Sequence, residues 1–181
     1  MKFTFEAFKV EFKNYCLRYL SSLHVEREAI SSFGVFTDQD MSSFVLAYNT
    51  QEHIKNLVPK DSSSSEAELA NLTNIWWIPE WKGSDETFDP KESQRFYLKL
   101  EKLAALLPSP LYKESLFNMY CEVLAEIKHS NSLPKHSSNF FVLVQEADNF
   151  GLRDSDKLKK ILNELEWLEY VRFNKVFMGL D

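Results

Sequence analysis

The sequence predicts a single-domain α+β protein, a sheet of about four strands with helices packed on it and an αα-hairpin among them. Three observations lead there. Apolar residues recur at threes and fours over residues 5–23, 90–107, 111–129 and 154–170, the period of amphipathic helices. Two β-rich runs, residues 29–37 and 42–49, flank a short polar turn, and a third, N-F-F-V-L-V-Q, occupies residues 139–145. At 181 residues without internal repeat, the chain has the size of one domain that buries one core.

In the first helix, Phe5, Phe8, Phe12, Tyr15, Cys16, Tyr19 and Leu23 form the inward face. Thr4 can cap it, and Glu6 places negative charge in the first turn, where the helix dipole favours it. In the strand that follows, Ile30, Ser32, Gly34 and Phe36 alternate with Ser31, Phe33, Val35 and Thr37. Neither face is cleanly apolar, which fits an interior strand covered on both sides. Gly34 in mid-strand marks a bulge or the close approach of another group. Asp38 and Asp40 read as turn formers, because two acids fall short of a calcium loop's ligand count. Thr50 caps a short helix that ends before Pro59, and K-D-S-S-S-S at residues 60–65 reads as a flexible loop. One or two helical turns are expected over residues 66–72.

Residues 74–81, N-I-W-W-I-P-E-W, hold three of the four tryptophans. Strand propensity over 74–78 and a stop at Pro79 predict a strand with Ile75 and Trp77 on one face and Trp76 and Ile78 on the other. Trp77 is then expected in the core, with Trp76 or Trp81 on the far side. Asp89 and Pro90 open a helix whose stripe is Phe96, Leu100, Leu103 and Leu107, and Pro108-Ser109-Pro110 stops it. A second helix over 111–129 completes the αα-hairpin. The run at 139–145 suits the centre of a sheet. One last helix starts near Asp154 and buries Leu158, Ile161, Leu162, Leu165 and Leu168, and the tail from Val171 fits helix or strand equally.

A net charge of −6, with no basic cluster larger than Lys157, Lys159 and Lys160, argues against phosphate-dependent nucleic-acid binding. The acidic balance serves solubility, or steers a basic partner. No apolar run reaches a membrane span, and the N-terminus lacks a signal-peptide core. Cys16 and Cys121 make no disulfide framework, so a reducing cytoplasm is expected.

Catalytic signatures are scarce. Gly34, Gly83, Gly151 and Gly179 are too far apart for a phosphate loop, and no nucleophile elbow or zinc spacing is present. No cofactor or metal is expected; His24, His53, His129 and His136 are scattered near helix ends and in loops. A carboxylate remains. Glu80, between Trp77 and Trp81, would suit a general acid if an apolar pocket surrounded it, and Glu146 follows the third β-rich run. The plainer reading pairs Glu80 with Lys82 or Arg95. Trp76, Glu80, Trp81 and Glu146 are the candidate binding residues.

Ala47-Tyr48-Asn49-Thr50 closing the hairpin, Trp77 to Trp81 reading W-I-P-E-W, and the acidic turn into a helix beyond resemble an uncharacterised bacterial family of small single-domain proteins. That family's pattern is W-x-P-x-E-W, one residue longer than here. The resemblance implies one domain of similar length and brings no activity, cofactor or site residue with it. By analogy with small acidic immunity proteins, the expected function is a non-catalytic protein-binding module that neutralises a toxin partner. The alternative is a small-molecule-binding or hydrolytic domain with a pocket near Trp77–Trp81.

Overall fold

A computed structural model describes residues 4–23, 29–57, 64–85, 88–130, 133–147 and 155–179. His24, Gly151, Asp154 and residues 60–63 of the expected loop lie outside them. Helix α1 (Phe5–Ser22) begins where the sequence places it, with Thr4 Oγ1 accepting from Ala7 N at 3.2 Å. Strands β1 (Ile30–Thr37) and β2 (Phe44–Thr50) form the antiparallel hairpin. Asp38 holds its turn, accepting from Ser42 N and from the hydroxyls of Ser42 and Ser43 at 2.6–2.8 Å. Helices α2 (Gln51–Leu57) and α3 (Ser64–Trp76) follow, then strand β3 (Gly83–Ser84), helix α4 (Pro90–Ala104) and helix α5 (Ser109–Lys128). Asp89 caps α4, and the Tyr112 hydroxyl of α5 donates back to Leu100 O of α4 at 3.3 Å, tying the αα-hairpin. Strand β4 (His136–Glu146) and helices α6 (Ser155–Ile161) and α7 (Glu164–Phe177) complete the chain.

The sheet order is β3-β2-β1-β4, with β1 antiparallel to β2 and parallel to β4. Alternation along the strands divides the core in two. On one face Phe33, Phe44 and Val142 meet α1, α4 and α5, where Phe12, Phe44, Phe96 and Tyr120 stack with ring centroids 4.9–6.3 Å apart. On the other, Gly34, Phe36 and Phe141 meet α3, α7 and the tryptophan segment. The aromatic excess is thus mostly core, where each ring buries much area. β1 is the interior strand its two mixed faces predict.

Two expectations give way. The run at 139–145 was expected at the sheet's centre, but among the described residues β4 is an edge strand whose one strand partner is β1. Its continuous apolarity reflects cover on both faces, with α5 and α6 on one side of it and Trp76 and Trp81 on the other. The single last helix is instead two. Asn163 accepts from Glu166 N at 2.9 Å while Glu166 reaches back to Asn163 N at 2.8 Å, a capping box that restarts the helix. That restart resets the helical phase, so Leu158, Ile161 and Leu162 stay buried while Leu165 and Leu168 turn outward. The undecided tail is helical through Phe177.

Candidate functional site

The tryptophan segment is not a strand. Its first half ends α3, with Trp77 N donating to Thr73 O at 2.8 Å, and Ile78–Glu80 forms a 3-10 turn, with Trp81 N donating to Ile78 O at 3.0 Å. Pro79 fits the first turn of such a helix, where no N–H is needed. Tertiary contacts override the β propensity of Ile75, Trp76 and Trp77. Two buried amides fix the path. Asn49 Nδ2 donates to Asn74 O at 2.8 Å from β2. From β4, Gln145 Oε1 accepts from Ile78 N at 3.0 Å and Gln145 Nε2 donates to Trp76 O at 3.4 Å.

The faces are therefore reassigned. Trp76, 1% exposed, and Trp81, 7% exposed, both pack on Phe141, with ring centroids 4.5 and 6.1 Å away. Trp77, expected in the core, is the half-buried one, between Phe36 and Phe177. Gly34 supplies the close approach its position predicts. A Cβ there would lie 2.8 Å from Ile78 Cδ1, 2.8 Å from Leu143 O and 2.9 Å from Trp81 Cζ3.

Of the four candidate binding residues, Trp76 and Trp81 come together and the carboxylates do not join them in a pocket. A hollow of about 480 Å3 does lie beside Trp81, lined by Phe36, Val45, Ala47, Ile78 and Lys82 among others. Neither Glu80 nor Glu146 lines it. Glu80 is exposed, and its carbonyl lies 3.2 Å from the His53 ring. Glu146 is buried at the end of β4, opposite Thr37.

A larger cleft, about 620 Å3, opens at the other end of the same face, between the starts of β1 and β4 and helices α2, α3 and α7. Ser31, Trp76, Ser137 and Phe141 lie in its wall, and Gln51, Lys55, Asn71, Asn139, Leu165 and Glu169 are among its remaining lining residues. Sequence reasoning passed over it, because residues 130–138 read as a polar connection into the β-rich run at 139–145. The signal was the polar start of β4, H-S-S-N, beside Ser31. Burial raises the pKa of the nearby Tyr170 hydroxyl, keeping it a neutral phenol.

A nucleophilic serine needs a base bonded to it. The Ser31 and Ser137 hydroxyls are buried without any protein partner, so neither is activated in that way. Among the described residues no group of three or more His, Cys, Asp or Glu is placed to hold a metal, and no helix is long and apolar enough to cross a membrane. Compared with family models, with curated proteins and with solved structures, the chain finds no match in any of the three.

Proposed function

We propose that this chain is a non-catalytic protein-binding module of the immunity type, which docks on a toxin partner through the amino-terminal half of α7. One observation carries the reading. Leu165 is 74% exposed and Leu168 58% exposed on the same helix face, one turn apart. Contiguous exposed apolar side chains are a mark of interaction surfaces. Exposed Glu164 and Glu169 flank them, so the matching partner carries an apolar hollow with a basic rim. The net charge of −6 favours the same partner by long-range steering. Two buried cysteines, Cys16 and Cys121, fit a reducing compartment such as the cytoplasm.

The test is protection. Co-expression with the product of a neighbouring toxin gene should rescue growth, and Leu165→Asp with Leu168→Asp should abolish rescue while the melting temperature holds. Failure of the native chain to protect, or full protection by the double variant, overturns the reading. The hollow beside Trp81 favours a second reading, a small-molecule or hydrolytic site. It requires a ligand that quenches Trp81 fluorescence and competes with a bulky Ala47→Phe substitution.

A further inference from the structure

We propose that the cleft at the amino end of β1 and β4 is a binding site for a small, neutral, polyhydroxylated ligand of the carbohydrate class. The backbone is built around this cleft at some cost. Between Ile30↔His136 and Ser32↔Phe141 the β1–β4 ladder advances two residues on β1 and five on β4, so three extra residues of β4 are accommodated there. On the other side, Ile30↔Thr50 and Ser32↔Asn49 oppose two steps of β1 to one of β2. Ser31 is the surplus residue against β2 and has no register partner in β4, whose own surplus falls within residues 137–140. Irregularities of this kind re-aim side chains beside binding sites.

Three residues in the wall of the cleft, each more than nine-tenths buried, carry a polar atom that no protein group satisfies: Ser31 Oγ, Ser137 Oγ and Trp76 Nε1. An unmade buried hydrogen bond costs about 1–3 kcal/mol, and folded proteins keep few of them. Three around one cleft point to a ligand that completes them. The indole N–H can only donate, whereas hydroxyls donate or accept. Exposed amides of Gln51, Asn71 and Asn139 at the cleft also offer both roles. A sugar hydroxyl, donor and acceptor at once, matches this set.

The charges exclude a strongly anionic ligand. Lys55 is the lone cation lining the cleft among the described residues, and Glu169 offsets it. Glu166 is committed to Lys128 Nζ at 2.9 Å and to the cap of α7. Phosphate or carboxylate recognition calls for convergent cations. The volume lies within the range of small-ligand pockets.

Two-dimensional NMR of the full chain, titrated with glucose, N-acetylglucosamine, maltose and trehalose, tests the site. At least one sugar should shift the Trp76 indole N–H and the amides of residues 31 and 137–139 saturably. Ser31→Ala and Ser137→Ala should weaken that binding about tenfold, with apo stability unchanged or raised because an unpaired hydroxyl has gone. Leu168→Asp, which disrupts the proposed protein-docking face and lies outside the cleft, should leave sugar binding intact. No saturable shift with any of the four sugars overturns the proposal. So does an equal response to inorganic phosphate or acetate, and so does unchanged affinity in both serine variants.

Discussion

Gly34 and Trp81 occupy one space: a side chain at position 34 would sit 2.9 Å from the indole Cζ3. The other two obstacles, Ile78 Cδ1 and the carbonyl of Leu143, stand at 2.8 Å, and the carbonyl belongs to the neighbouring strand of the sheet. Gly34→Ala must therefore lift the tryptophan segment or part β1 from β4. Denaturant unfolding should show a loss of about 3 kcal/mol, at the upper end of overpacking costs. A loss below about 0.5 kcal/mol would show that the segment yields freely.

Tyr15 and Tyr120 look alike in burial and differ in satisfaction. The Tyr15 hydroxyl donates to the buried Asp85 at 2.7 Å, and Asp85 in turn accepts from Leu46 N at 2.9 Å, joining α1 to the β2 edge. The Tyr120 hydroxyl has no protein partner. Burial raises the pKa of both phenols well above the ordinary value, so both are neutral donors. Tyr15→Phe should cost about 2 kcal/mol, because it takes a donor from a buried carboxylate. Tyr120→Phe should be neutral or stabilising. Chemical denaturation of the two variants side by side reads the contrast, and equal effects contradict it.

The restart of the helix at Asn163 can be measured separately. Asn163→Ala removes the cap acceptor from Glu166 N and should cost about 1 kcal/mol. Hydrogen exchange should speed up at residues 164–166 ahead of the rest of α7. Exchange that stays uniform along the helix would place the restart elsewhere.

Asp38 sets an acid limb. Its burial would raise the carboxyl pKa, but hydrogen bonds from Ser42 and Ser43 outweigh it and hold the pKa below the ordinary value. A folded pKa below the unfolded one adds stability that is complete above about pH 4 and fades as pH falls through the folded value. Asp38→Asn should cost about 1 kcal/mol at pH 7. The difference from the native chain should shrink as pH falls through the folded value. A gap that persists at low pH rules out ionisation as its source.

How much of this was written locally can be judged residue by residue. α1, the hairpin, Thr4 and Asp89 are legible because period and cap act within a few residues of themselves. Gly34 is legible as a missing side chain in mid-strand, although Ile78, Trp81 and Leu143, which fill its space, are distant in the chain. The tryptophan segment is not, since its helical path depends on Asn49 and Gln145, which lie 25 and 67 positions from their main-chain partners. Leu165 and Leu168 read as core because their spacing continues that of Leu158 and Ile161. Only the capping box breaks the phase, and Asn163 with Glu166 is a signature that the apolar spacing overshadowed. The cleft was hidden for another reason. A polar residue at the start of a strand looks like solvent-facing chain until the ladder is seen to skip it.

The grip of Asn49 and Gln145 also bears on descent. Both amides hold the segment by its main chain, at Asn74 O, Trp76 O and Ile78 N, and so are indifferent to the side chains borne there. Lineages could exchange the tryptophans while the chain kept its route, provided the two amides stayed. Distant kin of this protein are better sought by an asparagine closing one strand and a glutamine near the end of another than by W-I-P-E-W.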